Sequence, residues 1–183
     1  VSDGHTTAGR TVPPLLEMRG IVKSFPGVQA LRGVEVRLHR GEVLALLGEN
    51  GAGKSTLMKV LGGAEPADAG SILLDGQPIT LRSPVEAARA GIAVIHQEFN
   101  LVPGLTAAEN IFLGRELTRR GMIVHSKERE RARAVFDQLG ADIDPHLPCS
   151  QLTTAQQQIV EIAKALAFEA QVVVMDEPTA ALT

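Results

Sequence analysis

A chain of 183 residues, 44% of them hydrophobic, can bury a core and fits one domain or most of a larger one, so disorder is not the expected state. The 18 basic and 21 acidic residues leave a net charge of -3, which supplies no global attraction to nucleic acid or to an anionic membrane. One cysteine, Cys149, excludes an internal disulfide framework, offers no zinc spacing and suits a reducing cytosol, and no apolar run reaches the roughly 18 residues of a membrane span.

Residues 1–14 are polar, end in Pro13-Pro14 and read as a flexible leader, with folded structure from Leu15 onward. Residues 15–25, 34–38 and 43–47 are predicted strands, divided by Pro26-Gly27 and Arg40-Gly41. Residues 54–61 are a predicted helix stopped by Gly62-Gly63, and 71–74 a strand entering the Asp75-Gly76 turn. A short helix over 84–90, a buried strand over 92–96 and a helical piece over 107–113 follow. From 117 to 140 the composition turns charge-rich and predicts helix. Residues 142–148 form a connector, 156–168 a helix with Ile159, Ile162, Ala163 and Leu166 on one face, and 172–175 a buried strand. The run 115–133 carries Arg119, Arg120, Lys127, Arg129, Arg131 and Arg133, but Glu128 and Glu130 interleave and few aromatics are present for base stacking. A solvated helix face is the expected reading there.

Two motifs carry chemistry. Gly48-Glu49-Asn50-Gly51-Ala52-Gly53-Lys54-Ser55-Thr56 fits G-x-x-x-x-G-K-[ST], with an apolar run before it and a helix after it. The glycines let backbone N–H groups wrap a phosphate chain, Lys54 reaches the terminal phosphates, Ser55 suits Mg²⁺, and the helix dipole points its positive end at the same anions. Val172-Val173-Val174-Met175 ends in Asp176-Glu177, which places two carboxylates at the end of a buried strand, where open α/β sheets bind ligands. One carboxylate there can hold Mg²⁺ and the next can polarise an attacking water.

Together with Gln97, Leu152-Thr153-Thr154-Ala155-Gln156-Gln157-Gln158 and Pro178-Thr179-Ala180-Ala181-Leu182, these motifs occur in an order that resembles an ATP-binding cassette (ABC) transporter ATPase. The likeness runs from Leu15 to Thr183. Phe25-Pro26-Gly27-Val28-Gln29-Ala30-Leu31, the phosphate loop, His96-Gln97-Glu98 and residues 156–166 resemble most the sugar-importer ATPases of the ribose, galactose and xylose type. The resemblance implies an α/β P-loop NTPase fold: a RecA-like core, an antiparallel β subdomain, and a helical subdomain over about residues 105–165 within a cassette spanning 15–183. It also implies ATP and Mg²⁺ as cofactors. Phe25 would stack on adenine, Gln97 would touch Mg²⁺ and the attacking water, and Thr153, Ala155 and Gln156 would meet the γ-phosphate held by an opposing cassette. The catalytic set is then Lys54, Gln97 and Glu177, and the metal set Ser55, Gln97 and Asp176.

Thr153, Thr154 and Ala155 depart from the family's usual L-S-G-G-Q pattern, which weakens the phosphate contacts expected from 154 and 155. The family also places a histidine on the strand after the carboxylates, whereas His5, His39, His96, His125 and His146 all precede Asp176. The expectation is therefore the front portion of a cassette, ending after its catalytic carboxylates. The activity implied is ATP hydrolysis powering uptake of a monosaccharide. The implied partners are membrane permease subunits, a second cassette in tandem or as a dimer and, indirectly, an external sugar-binding protein. No nucleic acid is among them, and the place implied is the cytoplasmic face of the cell membrane. The alternatives are a nucleotide-binding module without turnover and a soluble ABC protein acting on translation or DNA.

Overall fold

The computed structural model describes residues 13–49, 51–95 and 100–175. The chain divides into two compact units, residues 1–82 and 83–183.

The first unit is built on β1 (Leu16–Phe25), β2 (Val28–Leu38), β3 (Ala69–Leu74) and β4 (Gln77–Ile79), paired antiparallel in the order β2-β1-β3-β4. β1 is the central strand, and its side chains change parity partway along. Leu16 and Met18 are buried, then Ile21 and Lys23. The cause is a bulge at Gly20: Met18 pairs with Val36 and Ile21 with Val34, while Arg19 pairs with Ser71 and Val22 with Ala69. Across Gly20, β1 thus carries one residue more than either neighbour, and because side chains alternate with period 2, one extra residue moves the apolar set to the other parity. Gly20 takes φ 59° to make the kink, and Gly70 of β3 lies against it: a Cβ on Gly70 would stand 2.6 Å from the Gly20 carbonyl oxygen and 2.7 Å from that of Arg19.

Two charged side chains are buried in this sheet and both are partnered. Glu17 accepts from Arg19 Nη2 at 2.6 Å and from Arg37 Nε at 3.1 Å, and the Arg19 hydrogen bond chiefly holds its carboxyl below the ordinary range. Lys23 Nζ lies 3.5 Å from carboxylate oxygens of Glu65 and Asp68. The unit's helix, α1 (Lys54–Leu61), buries Leu57, Val60 and Leu61, the i, i+3, i+4 stripe of an amphipathic helix.

The second unit contains α2 (Pro84–Arg89), β5 (Ile92–Ile95), α3 (Ala107–Phe112), a two-rung hairpin of β6 (Thr118–Arg119) and β7 (Met122–Ile123), α4 (His125–Gln138), α5 (Thr154–Ala167) and β8 (Val172–Met175). β5 and β8 pair in parallel, Ile92 opposite Val172 through Ile95 opposite Met175. Helices α3, α4 and α5 close around Ile111, Phe112, Val135, Phe136, Ile143 and Val160, with Ala107, Ala108, Ala132, Ala163 and Ala167 in the same core. Alanine at these positions lets helix axes approach closely while still burying apolar surface.

Within this helical core sits one fully buried amide. Asn110 accepts the Val102 N–H at 2.7 Å, and its Nδ2 lies 3.0–3.1 Å from the carbonyl oxygens of Val102, Leu105 and Thr106 and 3.1 Å from Cys149 Sγ. Two N–H bonds shared among four acceptors fix the 102–106 loop to α3 and to the turn at Cys149–Gln151. Cys149 packs in this core: it is buried, and burial pushes its thiol pKa up, away from reactive thiolate.

Three sequence expectations change. Residues 43–47 form no strand among the described residues, and Val43 and Leu47 are 97% and 91% exposed. A strand exists only with a ladder partner, and no described segment pairs with this run. The stretch 117–140 is a hairpin followed by a helix, because Arg120-Gly121 makes a turn that interrupts the charge pattern. β2 begins at Val28, six residues before the expected Val34, since Pro26-Gly27 is a tight hairpin turn rather than a break between distant strands.

Gly70→Ala should lower stability by at least about 2 kcal/mol, read as a shift in the denaturant midpoint, because the new Cβ meets backbone on two sides at a positive φ. Asn110→Ala should cost about 2–3 kcal/mol by the same measurement, since it strands the Val102 N–H and several carbonyls in the helical core.

Candidate functional site

The phosphate-loop residues fall in the first unit. Gly51 and Gly53 take φ 83° and 91°, and the chain enters α1 at Gly53, its N-cap. Only glycine suits that position: a Cβ there would lie 2.6 Å from the Ala30 carbonyl oxygen and 3.0 Å from Leu31 Cδ2, both on β2. Gly53 also offers no side-chain cap. At α2, α3 and α5, Ser83, Thr106 and Thr153 each accept an N–H of the first turn, whereas α1 has neither a capping side chain nor an acidic residue in its first turn. Its first N–H groups are left for an anion.

Lys54, the first residue of α1, folds its ammonium back over the loop and donates to the carbonyl oxygens of Gly48 at 2.7 Å and Glu49 at 2.9 Å. Ala52 N–H donates to the Glu49 carbonyl at 3.2 Å, closing the turn beneath. The ammonium is thus held at the mouth of the loop, the helix start is bare, and Ser55 is exposed beside it. This donor set fits a chain of phosphates. It fits Mg²⁺ through one hydroxyl, as expected for an ion that takes most of its ligands from phosphate oxygens and water; among the described residues no cluster of three or more His, Cys, Asp or Glu forms a metal cage.

Phe25 closes β1 and is 38% exposed, with Lys23 Nζ 5.4 Å from its ring centroid. Ser24 N–H donates to Asp68 Oδ2 at 2.7 Å, pinning the strand end that carries the ring. An exposed aromatic with a cation near one face can offer the rest of its surface for stacking.

The second unit holds the start of α5. Thr153 and Gln156 form a capping box: Gln156 N–H donates to Thr153 Oγ1 at 3.3 Å, and Thr153 N–H donates to Gln156 Oε1 at 2.9 Å. Thr153, Thr154 and Ala155 are all exposed. The roles of Thr153 and Gln156 are therefore structural at the least. The N–H groups of Thr154 and Ala155, the helix's first two, carry the positive dipole end.

Two residues escaped the sequence reading. Gln157 Nε2 donates to the carbonyls of Cys149 at 2.9 Å and Leu152 at 3.2 Å, which locks the turn before α5 to the helix. Glu161, one turn further along α5, accepts the Asn100 N–H at 2.8 Å and so ties the chain that follows Gln97 to the same helix. Both lay inside the quoted segments 152–158 and 156–166 without a role of their own, because a Gln or Glu in a helix reads as solvated surface until its partner is known. Asn50, Gln97, Asp176 and Glu177 lie outside the described residues. The described strand ends that precede the last three, Ile95 and Met175, are register neighbours.

The family model for ABC transporters matches residues 31–180. A ribose import ATP-binding protein, RbsA 1, of Rubrobacter xylanophilus is 56% identical over 170 residues, covering 93% of this chain and 34% of that protein. RbsA of Chromobacterium violaceum is 58% identical over 167 residues, 91% of this chain and 33% of its own length. The chain thus spans about a third of these curated relatives. Among solved structures, the ADP conformation of the cassette MJ1267 matches with a TM-score of 0.81 at 29% identity, covering 94% of this chain and 72% of that one. A dimeric cassette structure, MJ0796, matches with a TM-score of 0.72 at 27% identity, covering 92% and 76%. With the P-loop NTPase fold, the antiparallel sheet and these matches together, the chain belongs to the ABC transporter ATP-binding family.

Proposed function

We propose that the protein of which this chain is a part binds and hydrolyses Mg-ATP to power uptake of a monosaccharide through a membrane permease. The observation that carries the reading is the bare start of α1, with Lys54 poised over a loop whose last glycine, Gly53, no other residue can replace without backbone collision. Relatives named as ribose import ATP-binding proteins support the sugar, and the dimeric cassette supports a second cassette facing the first.

In this reading the loop N–H groups and Lys54 bind the β- and γ-phosphates and stabilise charge as the terminal bond lengthens. Ser55 and Asp176 would hold Mg²⁺, which would supply neutralisation of phosphate charge. Phe25 takes the adenine by stacking, a contact that reads a π face and leaves base identity to its surroundings. Glu177 accepts a proton from the attacking water, and Gln97 orients that water. Thr153, Ala155 and Gln156 present the α5 N-terminus to nucleotide on an opposing cassette.

Gln97 would also report the state of the site to the permease. The Glu161 bond to Asn100 supports that role, since it links the segment after Gln97 to the helix that begins at Thr154. The working assembly then sits on the cytoplasmic face of the membrane, two cassettes under the permease, with an external binding protein delivering sugar. The helical subdomain over about 105–165 would move as one piece in that cycle. Nucleic acid has no part in it: the basic run 115–133 is divided between hairpin and helix, and Arg131 and Arg133 are spent within the chain on the Ala167 carbonyl, Asp142 and Asp144.

In the full-length protein, Glu177→Gln should leave ATP binding intact and lower steady-state hydrolysis by at least about a hundredfold, the range of a general-base contribution. Unchanged phosphate release would remove Glu177 from that role.

A further inference from the structure

The nucleotide reading makes no use of the β6–β7 hairpin, which projects from the helical core with unusual chemistry at its tip. Arg119 pairs with Met122 and Thr118 with Ile123, so the two-residue turn is Arg120-Gly121. Both turn residues have positive φ, 53° and 80°, as a type I′ hairpin turn requires. Asn, Asp or Gly is the usual choice at its first position, because a longer side chain in the left-handed region is strained. Here that position holds an arginine, and strain kept at an exposed tip points to a use for the side chain.

The surroundings narrow that use. Met122 is 71% exposed and Ile123 46%, at the end of a short ribbon rather than over a core. Neighbouring cations are engaged: Arg115 lies 4.6 Å from the Phe168 ring centroid, and Arg131 donates to the Ala167 carbonyl at 2.8 Å. Arg119 and Arg120 form no ion pair among the described residues, and nearby Glu116 is turned back to accept the Gly114 N–H at 2.9 Å. The tip therefore offers two uncommitted guanidinium groups beside two exposed apolar side chains.

We propose that this hairpin is a membrane-interface contact, with Arg119 and Arg120 on anionic phospholipid headgroups and Met122 and Ile123 entering the headgroup–acyl boundary. Size favours a bilayer over a protein partner. A convex tip of six residues falls far short of the roughly 800 Å² per side that a stable protein interface needs, whereas a lipid surface accepts a convex tip by partition, without a matching groove. The chain's net charge of -3 does not oppose this: headgroup attraction is local, screened within about 8 Å at physiological salt. The contact is independent of nucleotide and would add to whatever else holds the protein at a membrane.

The test is co-sedimentation of the full chain with phosphatidylglycerol–phosphatidylethanolamine vesicles and with phosphatidylcholine vesicles, for the parent, Arg120→Asn and Met122→Ser/Ile123→Ser. Arg120→Asn relieves the turn while removing one cation. It should melt at or above the parent's temperature yet bind anionic vesicles about fivefold more weakly, the factor expected for one surface cation. The Met122→Ser/Ile123→Ser variant should also lose binding, and phosphatidylcholine should retain little of any chain. Equal partition of parent and Arg120→Asn, or equal binding of the parent to both vesicle types, would overturn the proposal. So would vesicle binding unchanged in both variants while an acidic synthetic peptide binds the parent alone, which reassigns the tip to a protein partner.

Discussion

The start of α1 rests on one steric constraint, the approach of Gly53 to the Ala30 carbonyl. Because no Cβ fits there, the residue that opens α1 is a glycine, and because it is a glycine it cannot cap the helix. A capped helix start has one of its first donors already taken, as α3 and α5 do with Thr106 and Thr153. The uncapped start of α1 instead keeps its N–H groups for a ligand whose charge also answers the dipole and Lys54. Packing against β2 and the proposed anion binding would thus both follow from one missing methyl group.

The same logic separates the two helix starts assigned to nucleotide. At α1 the loop supplies donors and cation together. At α5 the capping box uses the Thr153 hydroxyl and the Gln156 side chain internally, so an opposing phosphate would meet mainly the exposed N–H groups of Thr154 and Ala155. The departure from the usual glycine pair at 154 and 155 matters less at an exposed helix end than it would in the cradle. Extra methyl groups here face solvent, whereas at Gly53 one would collide with backbone.

Much of this was legible in the sequence because the signals are local. The G-x-x-x-x-G-K-[ST] spacing set the loop, and Gly62-Gly63 set the end of α1 at Leu61. The apolar quartet 172–175 is a strand as read. What failed was non-local. The apolar run 43–47 has a strand's composition but no ladder partner among the described residues, and composition cannot supply a partner. The Arg120-Gly121 turn was hidden inside a charge-rich stretch because arginine is not a turn residue by preference. The bulge at Gly20, the Asn110 hub and the Glu161 bond to Asn100 all depend on which segments meet in space.

The central claim, that the loop from Gly48 to Thr56 holds the phosphates of a nucleotide, is tested most directly by calorimetric titration of Mg-ATP into the full chain and its Lys54→Ala variant. Removing a charge-assisted contact of about 1.5–3 kcal/mol should weaken binding by roughly ten- to a hundredfold while leaving the fold intact. Equal affinity in the two chains would contradict the account.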